Sequence, residues 1–195
     1  MRIIKIGRND AGQRLDKFLS KAVKGLPTSL MYKYIRMKKI KLNGKRTDIA
    51  YKPLVGDIIE AYISDEFAKK NEPKYDFLTA SDKLDIVYED ENILLCDKPQ
   101  GLLSHPNEGE YNDTAISRIK RYLYEKKEYL PDSEMSFTPA LVNRIDRNTG
   151  GIVIAAKNAD SLRILNAKMK SRELEKYYLC LVHGTPKKTT DTLHG

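Results

Sequence analysis

The stretch N-R-I-D-R-N-T-G-G-I-V-I-A-A, residues 143–156, joins a charged loop to an apolar run that is typical of a buried strand. Gly150 and Gly151 favour a turn before this strand, because glycine tolerates positive φ. Arg144 stands two residues before Asp146, and guanidinium groups on both sides keep a carboxylate ionised even when it is partly desolvated. Asp146 is therefore open to three interpretations: a turn residue, a metal ligand or a catalytic carboxylate.

The metal interpretation fails on the spacing of a calcium loop. Asp146, Asn148 and Gly151 match the first, third and sixth positions of such a loop. Gly150 occupies the fifth position, and Lys157 stands at the twelfth, where a bidentate glutamate is required. An aspartic protease would carry its aspartate directly before Thr-Gly, and this segment does not. We predict no metal site, and the turn and the catalytic carboxylate remain as alternatives.

Positive charge is concentrated in the first third of the chain. Residues 1–65 hold 15 lysines and arginines against 6 acidic residues, a balance of +9. Residues 66–195 hold 20 against 21, a balance of −1. Such asymmetry favours a nucleic-acid-binding module joined to a second unit, and a basic, solvated surface is the alternative.

Length and composition predict a folded protein of one or two domains. The 195 residues are 41% hydrophobic, which is sufficient for a core. No apolar run is long enough to span a membrane, and M-R-I-I-K-I-G lacks the apolar centre of a signal peptide. Cys96 and Cys180 lie far apart, with no further ligands at metal-site spacing. We predict a cytoplasmic protein, without a membrane partner, that contains two buried thiols.

The basic segment has the pattern of a small mixed domain. A strand is predicted at residues 1–6, a helix at 14–23 and another strand at 58–63. Asn43-Gly44 predicts a hairpin turn.

A second helix is predicted after Pro27, with Thr28 or Ser29 as its cap. Its apolar face should contain Leu30 and Tyr34. Its lysines and Arg36 should face solvent.

The remaining chain has the pattern of a mixed α+β domain in which sheet dominates the core. Residues 66–82 show no sustained periodicity and are interpreted as a linker. Two strands flank a polar turn at residues 89–92, and Asp113 is expected to cap a helix. A second helix should begin at a cap formed by Asn158 or Asp160. The predicted final strand is Y-Y-L-C-L-V-H, residues 177–183.

Four ordered blocks carry a family resemblance. N-R-I-D-R-N-T-G-G resembles the H-R-L-D-x-x-T-S-G signature of the RluA-type RNA pseudouridine synthases. I-V-Y-E-D-E-N-I-L-L-C-D-K-P-Q-G-L-L-S-H-P, I-V-I-A-A-K-N and E-K-Y-Y-L-C-L-V-H-G resemble the strands and the K-P-x-G loop around that signature. Residues 1–65 resemble an αL RNA-binding domain of the ribosomal-protein-S-four type. The resemblance covers nearly the whole chain.

The resemblance implies an α+β protein that isomerises uridine to pseudouridine within RNA, without a cofactor or metal. Its domains would be the RNA-binding domain at 1–65, the linker at 66–82 and a mainly antiparallel catalytic domain at 83–195. Structured RNA would be the partner, either ribosomal or transfer RNA, and the protein would be a monomer. The target uridine must leave its helix before a side chain can reach it.

By position, the resemblance makes Asp146 the catalytic carboxylate, which attacks either the ribose or the uracil ring. Arg144 would hold the loop or fill the gap left by the flipped nucleotide. Tyr178 would stack on the uracil and assist proton removal, facing the cleft while Tyr177 faces the core. The expected RNA contacts are basic side chains on both domains: Lys33, Arg36, Lys38, Lys39, Lys41, Arg147 and Lys176.

Two further positions near the signature have a structural interpretation beside a functional one. Lys98-Pro99 matches the family loop near the active site, and it fits a plain turn equally well. His105 is interpreted as a loop residue.

Two departures from the family pattern favour an alternative function. Asn143 stands where histidine is commoner, and we expect it to orient the loop. In the family, a G-R-x-H-Q-I-R block follows the K-x-Y strand, and its arginine pairs with the catalytic aspartate. Residues 1–195 do not contain this block. The resemblance therefore implies a chain that is truncated at its C-terminus, with reduced or no activity by itself. The alternative is a non-catalytic RNA-binding protein with a degenerate second domain.

Overall fold

Two separate antiparallel sheets organise the protein in a computed structural model that describes residues 1–64, 67, 75–108 and 112–192. The first sheet has the order β1-β3-β2 and the second the order β4-β5-β7-β6. The first unit contains β1 (Arg2–Lys5), α1 (Leu15–Ala22), α2 (Thr28–Arg36), β2 (Ile40–Leu42) and β3 (Ile58–Ala61). The second contains a 3₁₀ turn (Asp76–Thr79), β4 (Asp85–Glu89), β5 (Ile93–Lys98), α3 (Ala115–Glu125), β6 (Ala140–Leu141), β7 (Gly151–Ala156) and α4 (Ala159–Lys170).

The first core forms where α1 and α2 cover the three-stranded sheet. Phe18 and Leu15 of α1 are fully buried together with Ile4 of β1 and Ile59 of β3. Burying one such side chain stabilises the fold by about 1.5–3 kcal/mol. The predicted helices and strands of this unit are confirmed.

The predicted orientation of α2 is wrong by one residue. Met31 and Ile35 are buried, whereas Leu30 and Tyr34 only border the core. Apolar and aromatic residues surround much of this helix, so the pattern leaves its rotation ambiguous. The helix begins after Pro27, and neither Thr28 nor Ser29 caps it.

The turn at Asn43-Gly44 is confirmed. Both residues have positive φ, 50° and 73°, as a type I′ turn requires. Leu42 and Lys45 exchange backbone hydrogen bonds of 2.9 Å across it. The Asn43 side chain also donates to Asp57 Oδ1 and accepts from the Ile58 N–H, both at 2.8 Å.

The second core lies between the four-stranded sheet and α3. Leu94 of β5 and Val153 of β7 face Ile119 and Leu123 of the helix, and all four are buried. The predicted polar turn between β4 and β5 is confirmed, because Asp90 Oδ1 accepts hydrogen bonds from Asn92 N and Ile93 N, each at 2.7 Å.

The predicted cap of α3 is wrong. Thr114 is the N-cap, and its hydroxyl accepts from the Ser117 N–H at 3.3 Å. Asp113 instead forms two hydrogen bonds of 2.7 Å with Arg118. The cap of α4 is Asn158, one of the two expected candidates.

The predicted final strand at 177–183 is not a strand. These residues pair with no strand in the part of the chain that the structure describes. Leu179 and Leu181 are fully exposed. The nearby Cys180 is also exposed, contrary to the prediction of a buried thiol. An apolar alternation forms a strand only where another strand supplies hydrogen bonds. Cys96 is buried as expected.

The end of the expected linker packs into the second core. Phe77 is buried, and its ring lies 5.8 Å from the ring of Tyr124. Residues 65–66 and 68–74 lie outside the described residues. The domain boundaries at 65 and 82 stay a prediction.

Polar contacts join the two units. Ser136 donates to Asp10 Oδ1 at 2.6 Å and accepts from Gln13 Nε2 at 2.8 Å. Asn9 Nδ2 donates to Glu134 at 2.8 Å. Within the described residues, no helix is long and apolar enough to cross a membrane.

An ion-pair network ties α3 to the ends of β4 and β7. Glu89 accepts from Lys157 at 2.8 Å, from Lys126 at 2.9 Å and from the Tyr122 hydroxyl at 2.8 Å. Burial would raise the pKa of Glu89, but these hydrogen bonds outweigh it and lower the pKa to about 2.

The network predicts a loss of stability in acid. The pKa of the Glu89 carboxyl is 4.5 in the unfolded chain and about 2 in the folded protein. Its ion pairs therefore contribute their full stability above pH 4.5, and this contribution is lost as the pH falls towards 2. Glu89→Gln should lower the free energy of unfolding by on the order of 2 kcal/mol at pH 7 and by much less near pH 2. Urea unfolding of both proteins across this pH range measures the difference, and a constant difference would contradict the prediction.

Candidate active site

The Asp146 loop is the connection between β6 and β7. Thr149 N donates to Asp146 O at 3.1 Å, which closes a four-residue turn and confirms the turn interpretation of the backbone. Gly151 has a φ of +129°, as expected, whereas Gly150 does not adopt positive φ. The Asp146 side chain is exposed, and no described residue forms a hydrogen bond with its carboxylate. The carboxylate therefore keeps its acceptor capacity for a ligand.

A second loop, residues 98–105, holds the Asp146 loop on both sides of the aspartate. Before it, Ser104 Oγ donates to Ile145 O at 2.7 Å and accepts from Ile145 N at 3.4 Å. After it, Gly101 N donates to Arg147 O at 2.8 Å, and Arg147 Nε donates to Gly101 O at 2.9 Å. These paired contacts fix the backbone that carries Asp146.

Lys98 anchors both loops from inside the protein. Its side chain is only 1% exposed, and Nζ donates to Pro99 O at 3.0 Å, Leu102 O at 2.7 Å and Arg147 O at 3.2 Å. Burial lowers the pKa of Lys98, and the charge of Asp146 acts in the opposite direction. The ammonium group thus places a positive charge below the loop that carries Asp146.

The sequence pattern indicates that Lys98 is buried, and the sequence interpretation missed this. Leu94, Cys96 and Lys98 are alternate residues of β5, and all three are buried. Alternation therefore places the lysine on the core side of the strand. The sequence interpretation left it open whether Lys98-Pro99 is functional or a plain turn.

Asn143 aligns the start of the loop with β7. Its Nδ2 donates to Ile152 O at 3.0 Å, and its Oδ1 accepts from Ile154 N at 2.8 Å. The amide thereby extends the β6–β7 ladder by one pair of hydrogen bonds. This arrangement agrees with the expected role of orienting the loop.

A cleft of about 720 Å³ lies between the Asp146 loop and residues 174–179. Ile145, Asn148 and Thr149 line its loop side, whereas Asp146 lies between these lining residues in the chain and does not itself line the cleft. Tyr178 lies on the opposite side and is 64% exposed.

Tyr177 lies in the same cleft wall. It was expected to face the core, but it is 84% exposed, and it donates to Glu175. The prediction of one buried and one exposed tyrosine is wrong, because this segment forms no strand. Both rings are available to a ligand in the cleft.

The basic residues of the second unit that are candidates for contact with RNA differ in their contacts within the protein. Lys176 lines the cleft, and Arg144 is exposed, with no ion pair or hydrogen bond of its side chain to any described residue. Arg147 is also exposed, but its guanidinium bonds to the facing loop. Asp146, Arg144 and Arg147 share one loop, and Tyr178 and Lys176 share the opposite wall.

The basic candidates of the first unit form a separate surface. We define the basic face as Lys33, Arg36, Lys38, Lys39 and Lys41. The first four are exposed and Lys41 is half-buried. Lys39 Nζ lies 5.0 Å from the centre of the Tyr34 ring, and Lys41 Nζ lies 5.5 Å from that of Tyr62.

Tyr34 and Tyr62 are members of this surface that the sequence interpretation missed. Tyr34 was assigned to the apolar side of α2, and the one-residue error in that helix places it beside the lysines instead. Cations combined with aromatic rings are typical of surfaces that bind single-stranded nucleic acid.

Comparisons with known proteins show the family to which the chain belongs. The family model for RNA pseudouridylate synthase matches residues 92–194, more than half of the chain, and that for the S4 domain matches residues 13–59. An uncharacterized RNA pseudouridine synthase of Mycoplasma capricolum is 40% identical over 178 residues, which are 90% of this chain and 57% of the relative. The ribosomal large subunit pseudouridine synthase C of Vibrio cholerae is 34% identical over 188 residues, 94% of this chain and 56% of the relative.

The chain thus spans little more than half the length of these curated relatives. A solved structure of human RNA pseudouridylate synthase domain containing 4 aligns with 46% of this chain and 30% of its own, at 20% identity and a TM-score of 0.34. The predicted mixed fold with antiparallel sheets and the predicted family are both confirmed. The chain belongs to the RNA pseudouridylate synthase family and carries an S4 domain ahead of the synthase region.

Proposed function

We propose that the protein containing this chain isomerises uridine to pseudouridine in ribosomal RNA. The observation that carries the proposal is the state of Asp146: an exposed carboxylate, without a hydrogen-bond partner among the described residues, on a backbone fixed from both sides. An accessible carboxylate on a fixed backbone next to a cleft is an arrangement that supports nucleophilic catalysis. The cleft volume, about 720 Å³, lies in the usual range for small-ligand sites.

In this proposal Asp146 attacks either the ribose or the uracil ring of a flipped uridine. The base is detached, turned and rejoined to the ribose through carbon. Tyr178, on the facing wall, stacks on the uracil and assists proton removal. Arg144 fills the space that the flipped nucleotide leaves, since its side chain is exposed and not used within the described protein.

The basic face would hold the RNA backbone. Its exposed ammonium and guanidinium groups attract phosphates, and Tyr34 and Tyr62 offer rings to unpaired bases. Arg147 and Lys176 would add contacts beside the cleft. We propose residues 1–65 as the RNA-binding domain, joined through 66–82 to a synthase region beginning at 83.

Salt dependence tests the basic face. Replacing all five of its basic residues with glutamine should reduce the slope of log affinity against log salt, because each lost phosphate contact contributes about 0.7 for single-stranded RNA. Fluorescence anisotropy of a labelled RNA stem-loop at several salt concentrations gives the slope.

The matched control replaces basic residues outside the face: Lys168, Lys170, Arg172, Lys187 and Lys188. An equal reduction in slope by this control would contradict a specific role for the basic face.

The activity itself is tested by tritium release. Pseudouridine formation removes the hydrogen from C5 of uracil, so the full-length protein should release tritium from C5-labelled ribosomal RNA. If tritium is released from labelled transfer RNA but not from ribosomal RNA, the substrate is transfer RNA instead. RNA binding without release from either RNA would contradict the enzyme and favour the non-catalytic RNA-binding function.

A further inference from the structure

Asn9 connects the two units at the start of α4. It lies in the turn between β1 and α1, and its Nδ2 donates to Glu134 Oε1 at 2.8 Å. Its Oδ1 accepts from the backbone N–H of Ala159, the first residue of α4, at 3.1 Å. The first N–H groups of a helix have no partner within that helix, so the first unit completes the hydrogen bonding of a helix in the second.

Ser136 forms another connection between the units. Its hydroxyl donates to Asp10 Oδ1 at 2.6 Å and accepts from Gln13 Nε2 at 2.8 Å. Asp10 is only 5% exposed, so this contact is sheltered from water. Within the described residues, every side-chain hydrogen bond of Asn9 and Ser136 crosses from one unit to the other.

The side chain of Arg163 lies against the same turn of the first unit. Its Nη1 donates to Ala11 O at 2.7 Å. Gly12 permits this approach, because a Cβ there would lie 3.0 Å from the same nitrogen. Met135 packs against the core of the first unit. We define the joint as residues 9–13 of the first unit together with residues 134–136, Ala159 and Arg163 of the second.

The joint flanks the hairpin that carries Asp146. Residues 134–136 precede β6, and Ala159 begins the helix that follows β7. In the first unit, residues 9–13 lead into α1, which shares a core with α2, where the basic face begins at Lys33. Hydrogen bonds depend on angle as well as distance, so several of them together fix an orientation. The joint therefore links the segments that carry the basic face to the segments that carry the cleft.

We propose that Asn9, Gln13 and Ser136 are positioning residues that hold the basic face in one orientation to the cleft, so that one RNA molecule contacts both. The RNA part of this inference rests on the proposed function. A fixed orientation avoids the entropy cost of ordering two mobile units on binding, and so strengthens RNA binding. It also sets the distance between the bound RNA stem and the uridine that reaches the cleft, and thereby selects that uridine.

Electron paramagnetic resonance on the full-length protein tests the orientation itself. Spin labels at Lys52→Cys and Lys83→Cys, two exposed positions, report the distance between the units, with Cys180 and any other exposed cysteine replaced by serine. The parent protein should give one narrow distance distribution. Asn9→Ala combined with Ser136→Ala should broaden it about twofold or more, because units without a fixed interface move relative to each other. A broad distribution in the parent, or equal widths in both proteins, would overturn the proposal.

A double-mutant cycle tests whether the joint couples the basic face to the cleft. The affinity for a labelled ribosomal RNA stem-loop is measured by fluorescence anisotropy with and without the five glutamine substitutions in the basic face. Asn9→Ala with Ser136→Ala should weaken binding about tenfold when the basic face is intact and less than about twofold when it is not, because only linked sites gain from a fixed orientation. Equal losses in the two backgrounds, or no loss in either, would overturn the proposal.

The matched control combines Ser133→Ala with Asn166→Ala. Both side chains are exposed, and neither forms a hydrogen bond between the units. The control should change neither the distance distribution nor the affinity, and an effect equal to that of the joint variant would overturn the proposal. Circular dichroism checks that each variant folds. Should the joint variant unfold, Ser136→Ala alone is judged by the same outcomes.

Neither measurement requires catalysis, so the proposed activity is tested separately. If the coupling is found but no tritium is released from RNA, the proposed activity is wrong and the joint stands. If tritium is released but the coupling is absent, the joint is wrong and the activity stands.

Discussion

Asp146→Asn is expected to reduce pseudouridine formation by at least about 10³-fold, because the amide keeps the shape of the side chain and removes its nucleophilic charge. The side chain is exposed and has no hydrogen-bond partner among the described residues, so the substitution should leave stability within about 0.5 kcal/mol. Tritium release under single-turnover conditions measures the activity, and urea unfolding measures the stability.

The matched control is Asp82→Asn, another exposed aspartate, which should retain full activity. Asp146→Asn activity above a tenth of the wild-type rate would contradict the catalytic role. A large loss of stability in Asp146→Asn would instead indicate that the carboxylate supports the loop.

Lys98→Met is expected to lower the free energy of unfolding by about 3 kcal/mol. The substitution fills a similar volume but removes the donor for three carbonyl oxygens, and buried acceptors without partners cost about 1–3 kcal/mol each. Arg147 O keeps its bond from Gly101 N, so the loss should be less than the full sum. Activity should fall as well, since both loops beside Asp146 lose their common anchor.

Lys170→Met provides the matched control, because this lysine is exposed at the end of α4. Its stability should stay within about 0.5 kcal/mol of wild type. An equal stability of Lys98→Met and wild type would contradict the structural role of the buried ammonium group.

Local sequence patterns predicted the elements whose determinants are local. Asn43-Gly44 forms its turn because both residues tolerate positive φ, and the face of α3 follows helical spacing. Asp146 was identified from its charged neighbours and the motif around it. Its role in catalysis stays a prediction.

Features that depend on tertiary contacts were predicted less well. The rotation of α2 could not be read from a helix that carries apolar and aromatic residues on several sides. Asp113 and Thr114 are both suitable caps, and the ion pair with Arg118 decides between them. The apolar pattern at 177–183 could not show whether a neighbouring strand would pair with it.

Lys98 and His105 illustrate a different limit. A buried lysine is found only when its strand position is considered together with the carbonyl groups that its ammonium group meets. The environment of His105 comes from α3 and from the Asp146 loop, which are distant in sequence. Sequence spacing alone does not show that burial, together with the charges of Arg144 and Lys120, lowers the pKa of His105.

The most direct test of the central claim is the mapping of pseudouridine in ribosomal RNA. Cells that lack the gene for this protein would be complemented with the wild-type gene or with Asp146→Asn, and carbodiimide-primer extension would locate the modified uridines. We predict at least one pseudouridine that is absent without the gene, restored by the wild type and not restored by Asp146→Asn. Identical pseudouridine maps in all three strains would contradict the claim.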